Sequence, residues 1–207
     1  MSVAFKQDIE VDCSDAAVGI DRGVANTMTL SDGTVYRMPV SLKVLERNLM
    51  RQQKRLAGMI KGSNRYRRQR LRIGRLCQRI ANKRKDFQHK STTEISRKYG
   101  IVVLEDLRTK DLSRSARGTV DKPGRNVKAK SGPNRSILHQ GWGRLEFMLG
   151  YKTKVVKVNP FRTSQTCCNC GHADRQNRSG RRFECMKCGY SEDADLNAAI
   201  NKIGRAH

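Results

Sequence analysis

Near the start of the chain, apolar residues come in short blocks with the spacing of strands. Ala16-Ala17-Val18-Gly19-Ile20 runs straight into Asp21 and predicts a buried strand. Thr27-Met28-Thr29-Leu30, Ser31-Asp32-Gly33 and Thr34-Val35-Tyr36 then set β-forming residues on both sides of a Gly-containing turn, which is a hairpin pattern. From Ser41 the period changes to three and four residues. Leu42, Leu45, Leu49, Leu56 and Met59 form one seam, and Ile73, Leu76, Ile80 and Phe87 form another. Gly62-Ser63-Asn64 separates them, so residues 41–98 read as an antiparallel helical hairpin whose seams are interrupted at Gln52 and Lys83. Gly100 to Leu107 is a second buried-strand block, and Ile137, Leu138, Trp142, Leu145, Met148 and Leu149 mark an amphipathic helix. Lys154 to Pro160 predicts a last strand. A final helix from Asp193 to Ile203, closed by Gly204, carries Leu196, Ala199, Ile200 and Ile203 as its buried stripe. Residues 108–135 hold nine basic residues and little to bury, and predict a mobile loop ordered on a partner. Antiparallel strands first and strand–helix–strand crossovers later describe a mixed α/β sheet covered by helices.

Charge adds a partner to this picture. Among 207 residues there are 43 Lys plus Arg against 19 Asp plus Glu, a formal net charge of +24. Residues 41–98 concentrate 19 of the basic residues against three acids. Such a surface points to a polyanion, with nucleic acid as the default; a ribosome-associated or membrane-surface protein would also be basic. No apolar run approaches the roughly 18 residues of a membrane helix. Asp8, Glu10, Asp12 and Asp15 leave no apolar segment for a signal peptide, so a cytosolic protein is expected.

Three carboxylates stand at element ends. Asp21 and Glu105 each close an apolar strand, and Asp195 lies beside the stripe of the final helix, one turn before Ala199. Asp193, about 200° away around that helix, is the weaker candidate. Taken singly, Asp21 also suits a strand-end turn, Glu105 an arginine partner and Asp195 a helix N-terminal charge. Taken together, three converging carboxylates need a cation, and Mg²⁺ is the hard divalent ion that phosphodiester hydrolysis uses, commonly as a pair.

Five of the seven cysteines fall between 167 and 188. Cys167-Cys168-Asn169-Cys170-Gly171 and Cys185-Met186-Lys187-Cys188-Gly189 are two C-x-x-C-G knuckles separated by 14 residues. This spacing predicts a closed structural Zn²⁺ site on Cys167, Cys170, Cys185 and Cys188, with Cys168 outside it and His172 as a spare ligand. Cys13 and Cys77 read as ordinary small apolar residues. Arg175, Arg178, Arg181 and Arg182 between the knuckles suit either nucleic acid or a solvated face.

These residues together resemble the TnpB/OrfB family, the transposon-associated nucleases ancestral to type V CRISPR effectors. The resemblance rests on Val18-Gly19-Ile20-Asp21-Arg22-Gly23, Ile80 to Lys90, Leu104-Glu105-Asp106-Leu107, Thr163-Ser164-Gln165-Thr166-Cys167 and Asp193-Ala194-Asp195-Leu196-Asn197-Ala198-Ala199. It implies a RuvC-type, RNase H-like sheet with a helical hairpin insertion and a C-terminal zinc ribbon insertion. It further implies catalysis by Asp21, Glu105 and Asp195 through two Mg²⁺, a guide RNA, cleavage of target DNA linked to transposition, and a place at the prokaryotic nucleoid. The expected division is 1–40 for the first three strands, 41–98 for the hairpin, 99–160 for the rest of the sheet with the loop 108–135, 161–190 for the ribbon and 191–207 for the last helix. Arg67, Arg68, Arg70, Arg72, Lys83, Arg84, Lys85, Arg162, Arg181 and Arg182 are expected to hold the nucleic-acid backbone. The family's N-terminal half, which binds guide RNA and the target-adjacent motif, is expected to be missing. Residues 108–135 and the short passage from Tyr151 to Lys154 also differ from the family pattern. The rival expectation is a non-catalytic DNA- or RNA-binding remnant of a transposon protein.

Overall fold

The computed structural model describes residues 15–205, so Cys13 and the acids Asp8, Glu10 and Asp12 lie outside the described residues. Strand β1 (Ala17–Asp21) pairs antiparallel with β2 (Met28–Leu30), which pairs antiparallel with β3 (Val35–Tyr36). On its other side β1 runs parallel to β4 (Ile101–Glu105), and β4 parallel to β5 (Lys154–Val158). The order β3-β2-β1-β4-β5 is the mixed sheet the apolar pattern predicts.

Alternation along β1 and β4 explains how the layers form. Val18, Ile20, Val102 and Leu104 face one side, where they bury against Ile95, Trp142, Leu145 and Leu149. Those partners come from the end of α2 (Asn64–Lys98) and from α5 (Trp142–Gly150). Gly19, between Val18 and Ile20, faces the other side, where α6 (Ala194–Gly204) lies. The approach there is very close: a Cβ on Gly19 would lie 2.0 Å from the carbonyl oxygen of Ala199. The Gly19→Ala substitution is therefore expected to lift α6 from the sheet and cost about 3 kcal/mol or more, the upper range for overpacking. Urea denaturation against wild type checks this; a loss below about 0.5 kcal/mol, the range of innocuous surface changes, would contradict the close packing.

The hairpin forms from α1 (Val40–Ala57) and α2, which starts at the cap of Ser63, whose Oγ accepts from the Tyr66 N–H. Its core gathers Met38, Leu42 and Ile80 with Leu45, Leu49, Leu76 and Phe87 around them. The polar interruptions are paired: buried Gln69 donates to the Gln52 side-chain and backbone oxygens at 2.8 and 3.2 Å, and Lys83 donates to Ser41 at 3.1 Å. Since α2 runs unbroken to Lys98 and delivers Ile95 to the sheet core, hairpin and sheet share one 35-residue helix. Cys77, read as an ordinary small apolar residue, is exposed on that helix.

Three local expectations need correction. Residues 108–135 carry structure: α3 (Thr109–Leu112), a bridge between Gly118 and Pro123, and the first half of α4 (Val127–Gln140). That half is exposed, so it has no apolar period to announce it. The amphipathic stretch from Ile137 to Leu149 is two helices, because Gly141 takes a left-handed φ of +65° between them. A Cβ there would meet the Gln88 amide at 2.4 Å, and that amide donates to the Gly141 carbonyl at 3.2 Å. On α6, Leu196, Ile200 and Ile203 are only partly buried, whereas Asp195, Ala198, Ala199 and Lys202 are buried. The close contact with Gly19 selects small residues for the seated face and pushes the large apolar ones to its flanks.

Candidate active site and metal centre

Parallel pairing of β1 and β4 sets Ile20 opposite Leu104, so the next residues, Asp21 and Glu105, sit side by side at the carboxyl ends of neighbouring strands. By alternation both point to the α6 face. Asp195 stands in the first turn of α6, the helix seated on that face. Its backbone N–H is held by the Asp193 carboxylate at 2.9 Å, which caps the helix. The three carboxylates are 15, 14 and 12% exposed for Asp21, Glu105 and Asp195, so each is mostly desolvated.

Lys202 lies two turns after Asp195 on the same helix face, with no exposed surface. Its ammonium donates to Asp21 Oδ1 at 2.6 Å and lies 3.3 Å from Glu105 Oε1. Asp195 has other company: Asn26 donates to its Oδ2 at 3.3 Å, and Arg178 lies 3.6 Å from its Oδ1. Asn26 is in turn held by Arg37 Nε at 2.9 Å. Burial first, then the charges of Asp21 and Asp193, push the Asp195 carboxyl above its ordinary value, which places Asp21 within electrostatic range. From the opposite face of the sheet, buried Arg22 pairs with Glu146 at 2.8 Å and donates to the Glu105 backbone carbonyl at 2.5 Å, pinning the end of β4.

Oxygen donors of this kind, charged and mostly shielded from water, suit Mg²⁺ rather than a soft metal. Their ligand oxygens do not all come within 4.8 Å of one another, and the ammonium of Lys202 stands between two of the three groups. Asp193 caps α6 and pairs with Arg181 at 3.6 Å, outside the group, as its position around the helix predicts.

The four predicted thiols do close. Among the described residues, Cys167, Cys170, Cys185 and Cys188 are the one such group of three or more side chains whose ligand atoms lie within 4.8 Å of one another. Cys167 and Cys188 sulfurs are 3.7 Å apart and those of Cys170 and Cys185 3.6 Å. A tetrahedron with Zn–S arms of about 2.3 Å has edges of about 3.8 Å, so the thiols fit Zn²⁺. Each knuckle turns on a glycine with left-handed φ, +73° at Gly171 and +71° at Gly189. Cys168 is outside the group; its N–H donates to Asn197 Oδ1 at 3.0 Å. His172 is not a member either, its carbonyl accepting from the Cys167 N–H at 2.9 Å.

The ribbon is tied to the carboxylates through α6. Its sheet is β6 (Arg178–Ser179), β7 (Arg182–Glu184) and β8 (Ser191–Asp193), with Phe183 buried against Cys167, Cys185 and Ala194. Strand β8 continues directly into α6, and Arg178 of β6 reaches Asp195. Fully buried Asn197 also donates to the Thr166 carbonyl at 2.8 Å, and Asn201 to the same carbonyl at 2.7 Å.

The basic residues expected at a nucleic-acid surface divide in two. Arg67, Arg68, Arg70, Arg72 and Lys85 are exposed along α2, and Arg162 is exposed before the first knuckle. The others have partners within the chain: half-buried Arg84 pairs with Glu46 at 2.9 Å and Lys83 donates to Ser41, while Arg181 and Arg182 stay exposed beside Asp193 and Glu184. Sequence reading missed Lys202, Asn26 and Arg22. Lys202 had a signal, a lysine seven residues after Asp195 in an otherwise seated stripe. Asn26 had none.

Comparison with known proteins adds relatives to this geometry. A sequence profile of the OrfB_IS605 family, described as "Probable transposase", matches residues 1–116, and one described as "Cas12f1-like, TNB domain" matches residues 142–202. The "Putative RNA-guided DNA endonuclease InsQ" of Escherichia coli (strain K12) is 45% identical over 94% of this chain and 50% of its own length. A "Putative RNA-guided DNA endonuclease" of Streptomyces pristinaespiralis is 30% identical over 90% of this chain and 44% of its own length. The chain thus spans about half the length of the curated relatives it matches. Among solved structures, the Cas12f1 chain of a "Cas12f1-sgRNA-target DNA complex" aligns over 89% of this chain and 48% of its own, at 22% identity and a TM-score of 0.51, which supports the shared fold.

Proposed function

The chain belongs to the TnpB/OrfB transposase family, and on that premise we propose that it is a RuvC-type nuclease that hydrolyses DNA phosphodiesters under RNA guidance, in the service of transposition. The reading is supported by Asp21 and Glu105 at adjoining strand ends, both paired with Lys202 of α6, with Asp195 two turns earlier on that helix, beside a surface dense in arginine and lysine.

Each residue has a task. Asp21 and Glu105 present carboxylate oxygens from a rigid parallel pair, and Asp195 presents its own from α6. These oxygens would hold Mg²⁺, which would acidify an attacking water and neutralise charge on the phosphate. Asn26 and Arg178 orient Asp195, and Arg22 holds the end of β4. The exposed arginines of α2 supply sequence-independent attraction to the backbone, so log affinity for duplex DNA is expected to fall with log salt by about 0.9 per phosphate neutralised. Family resemblance brings two Mg²⁺; the pairing of Lys202 with Asp21 and Glu105 bears on that number.

The division into sheet, hairpin, ribbon and last helix belongs to the same reading, with Zn²⁺ in the ribbon as a structural ion on the four cysteines. DNA and guide RNA are its partners. The test is incubation of the full chain with labelled target DNA and Mg²⁺, with and without transposon-end RNA. The expected outcome is cleavage that requires both Mg²⁺ and the RNA. Binding of either nucleic acid with no cleavage under any of these conditions would favour the remnant instead.

A further inference from the structure

We propose that the ammonium of Lys202 is a resident cation of the carboxylate centre: it takes the place of one divalent ion between Asp21 and Glu105, leaving room for a single Mg²⁺ on the Asp195 side. The inference rests on the nuclease reading above and concerns the same site.

The geometry is specific. Lys202 is completely buried, its charge lies 2.6 Å from Asp21 Oδ1 and 3.3 Å from Glu105 Oε1, and both acceptors are themselves mostly buried. A lysine in a seated helix face is costly unless paired, and here two carboxylates pair it. It has no exposed surface, and the turn of α6 before it sits in backbone contact range of Gly19. A divalent ion coordinates carboxylate oxygen at about 2.0–2.1 Å, so an ion on the same edge of Asp21 would stand within about 4–5 Å of the ammonium, at a distance where like charges repel strongly inside a protein. Asp195 is the carboxylate that Lys202 does not touch; its partners are a neutral amide and an arginine 3.6 Å away. Lys202 and Arg178 already set two positive charges against the three carboxylates, so one divalent ion takes the site past neutrality and a second would only add to the excess.

The spacing of Lys202 on α6 marks the residue but not its acceptors, which stand 181 and 97 positions away along the chain.

The test is to count Mn²⁺ bound by the zinc-loaded full chain, following free Mn²⁺ by electron paramagnetic resonance, for wild type, Lys202→Met, Asp21→Asn and Asp195→Asn. Wild type is expected to take up one Mn²⁺ per chain, lost in Asp195→Asn. Lys202→Met is expected to take up a second, or to bind the first at least about ten-fold more tightly, once a like charge is removed. Two Mn²⁺ of similar affinity in wild type, or one in wild type and unchanged binding in Lys202→Met, would overturn the role of Lys202 while leaving the nuclease reading standing. No Mn²⁺ sensitive to Asp21 or Asp195 would overturn both. Should Lys202→Met fail to fold, the wild-type count decides alone, and Lys202→Arg, which keeps the charge, is expected to retain that count.

Discussion

Removing zinc from the full chain, by chelation or by Cys185→Ser, is expected to melt the ribbon between about residues 166 and 193 and to cut DNA cleavage at least about 10²-fold, the penalty for misplacing a reacting group by an ångström or so. The ribbon has almost no core of its own. Phe183, Ala194, Cys167 and Cys185 form its buried cluster, with Tyr190 packed alongside, while Cys170 and Cys188 are exposed. A four-thiolate Zn²⁺ site contributes roughly 10–16 kcal/mol of folding free energy in small zinc domains, far more than one phenylalanine can supply. The effect reaches the carboxylates because β8 runs into α6 without a break, Asp193 caps that helix, and Arg178 of β6 lies beside Asp195. The Asn197 and Asn201 bonds to the strand-to-knuckle passage transmit the same disturbance. Hydrogen exchange of the metal-free chain is the measurement: fast exchange in the ribbon and at the start of α6, with the five-stranded sheet still protected. A ribbon equally protected with and without metal would contradict the account.

The second large effect concerns charge. Replacing Asp21 or Asp195 by asparagine is expected to lower single-turnover cleavage on the order of 10³-fold, since each removes an anionic ligand from a site whose metal contributes several kcal/mol in the transition state. The same two changes should move stability in opposite directions in the metal-free protein. Asp195 is buried and faces the charges of Asp21 and Asp193, so its carboxylate is held against repulsion and Asn relieves it. Asp21 is the short-distance partner of the buried Lys202 ammonium, and Asn leaves that charge with Glu105 alone at 3.3 Å. Breaking one partner of a buried ion pair costs about 3–5 kcal/mol. Thermal melts at neutral pH with chelator present are therefore expected to show a raised Tm for Asp195→Asn and a lowered one for Asp21→Asn. Equal shifts of one sign would contradict the pairing of Lys202 with Asp21.

Much of this arrangement is legible in the chain, for reasons that differ by element. Strands β1 and β4 announce themselves because both faces are buried, one under α2 and α5 and the other under α6, which leaves an apolar run ending abruptly in an acid. The thiol site is legible because its two knuckles are local, each closed within five residues. The hairpin seams show because few but large residues repeat at helical spacing. What stays hidden is set by partners distant in sequence. The first half of α4 buries nothing, so no period marks it. The break at Gly141 depends on Gln88, 53 residues earlier. The true seated face of α6, with Asp195, Ala198, Ala199 and Lys202, is polar or small because of Gly19, so a search for large apolar residues turns the helix to its flank. Arg84 reads as a nucleic-acid ligand, and its pairing with Glu46 of α1, 38 positions earlier, leaves no mark in the chain.

Asp21, Glu105 and Asp195 are proposed to form one nuclease centre. The measurement that tests this most directly is Mg²⁺-dependent cleavage of target DNA by the RNA-loaded full chain, compared with Asp21→Asn, Glu105→Gln and Asp195→Asn, with DNA affinity determined for each. Wild type is expected to cut, all three substitutions to lower the rate on the order of 10³-fold, and affinity to stay within about three-fold, as the proposed binding by the arginines and lysines of the hairpin requires. A variant that loses its carboxylate and still cuts at the wild-type rate would contradict the proposed centre.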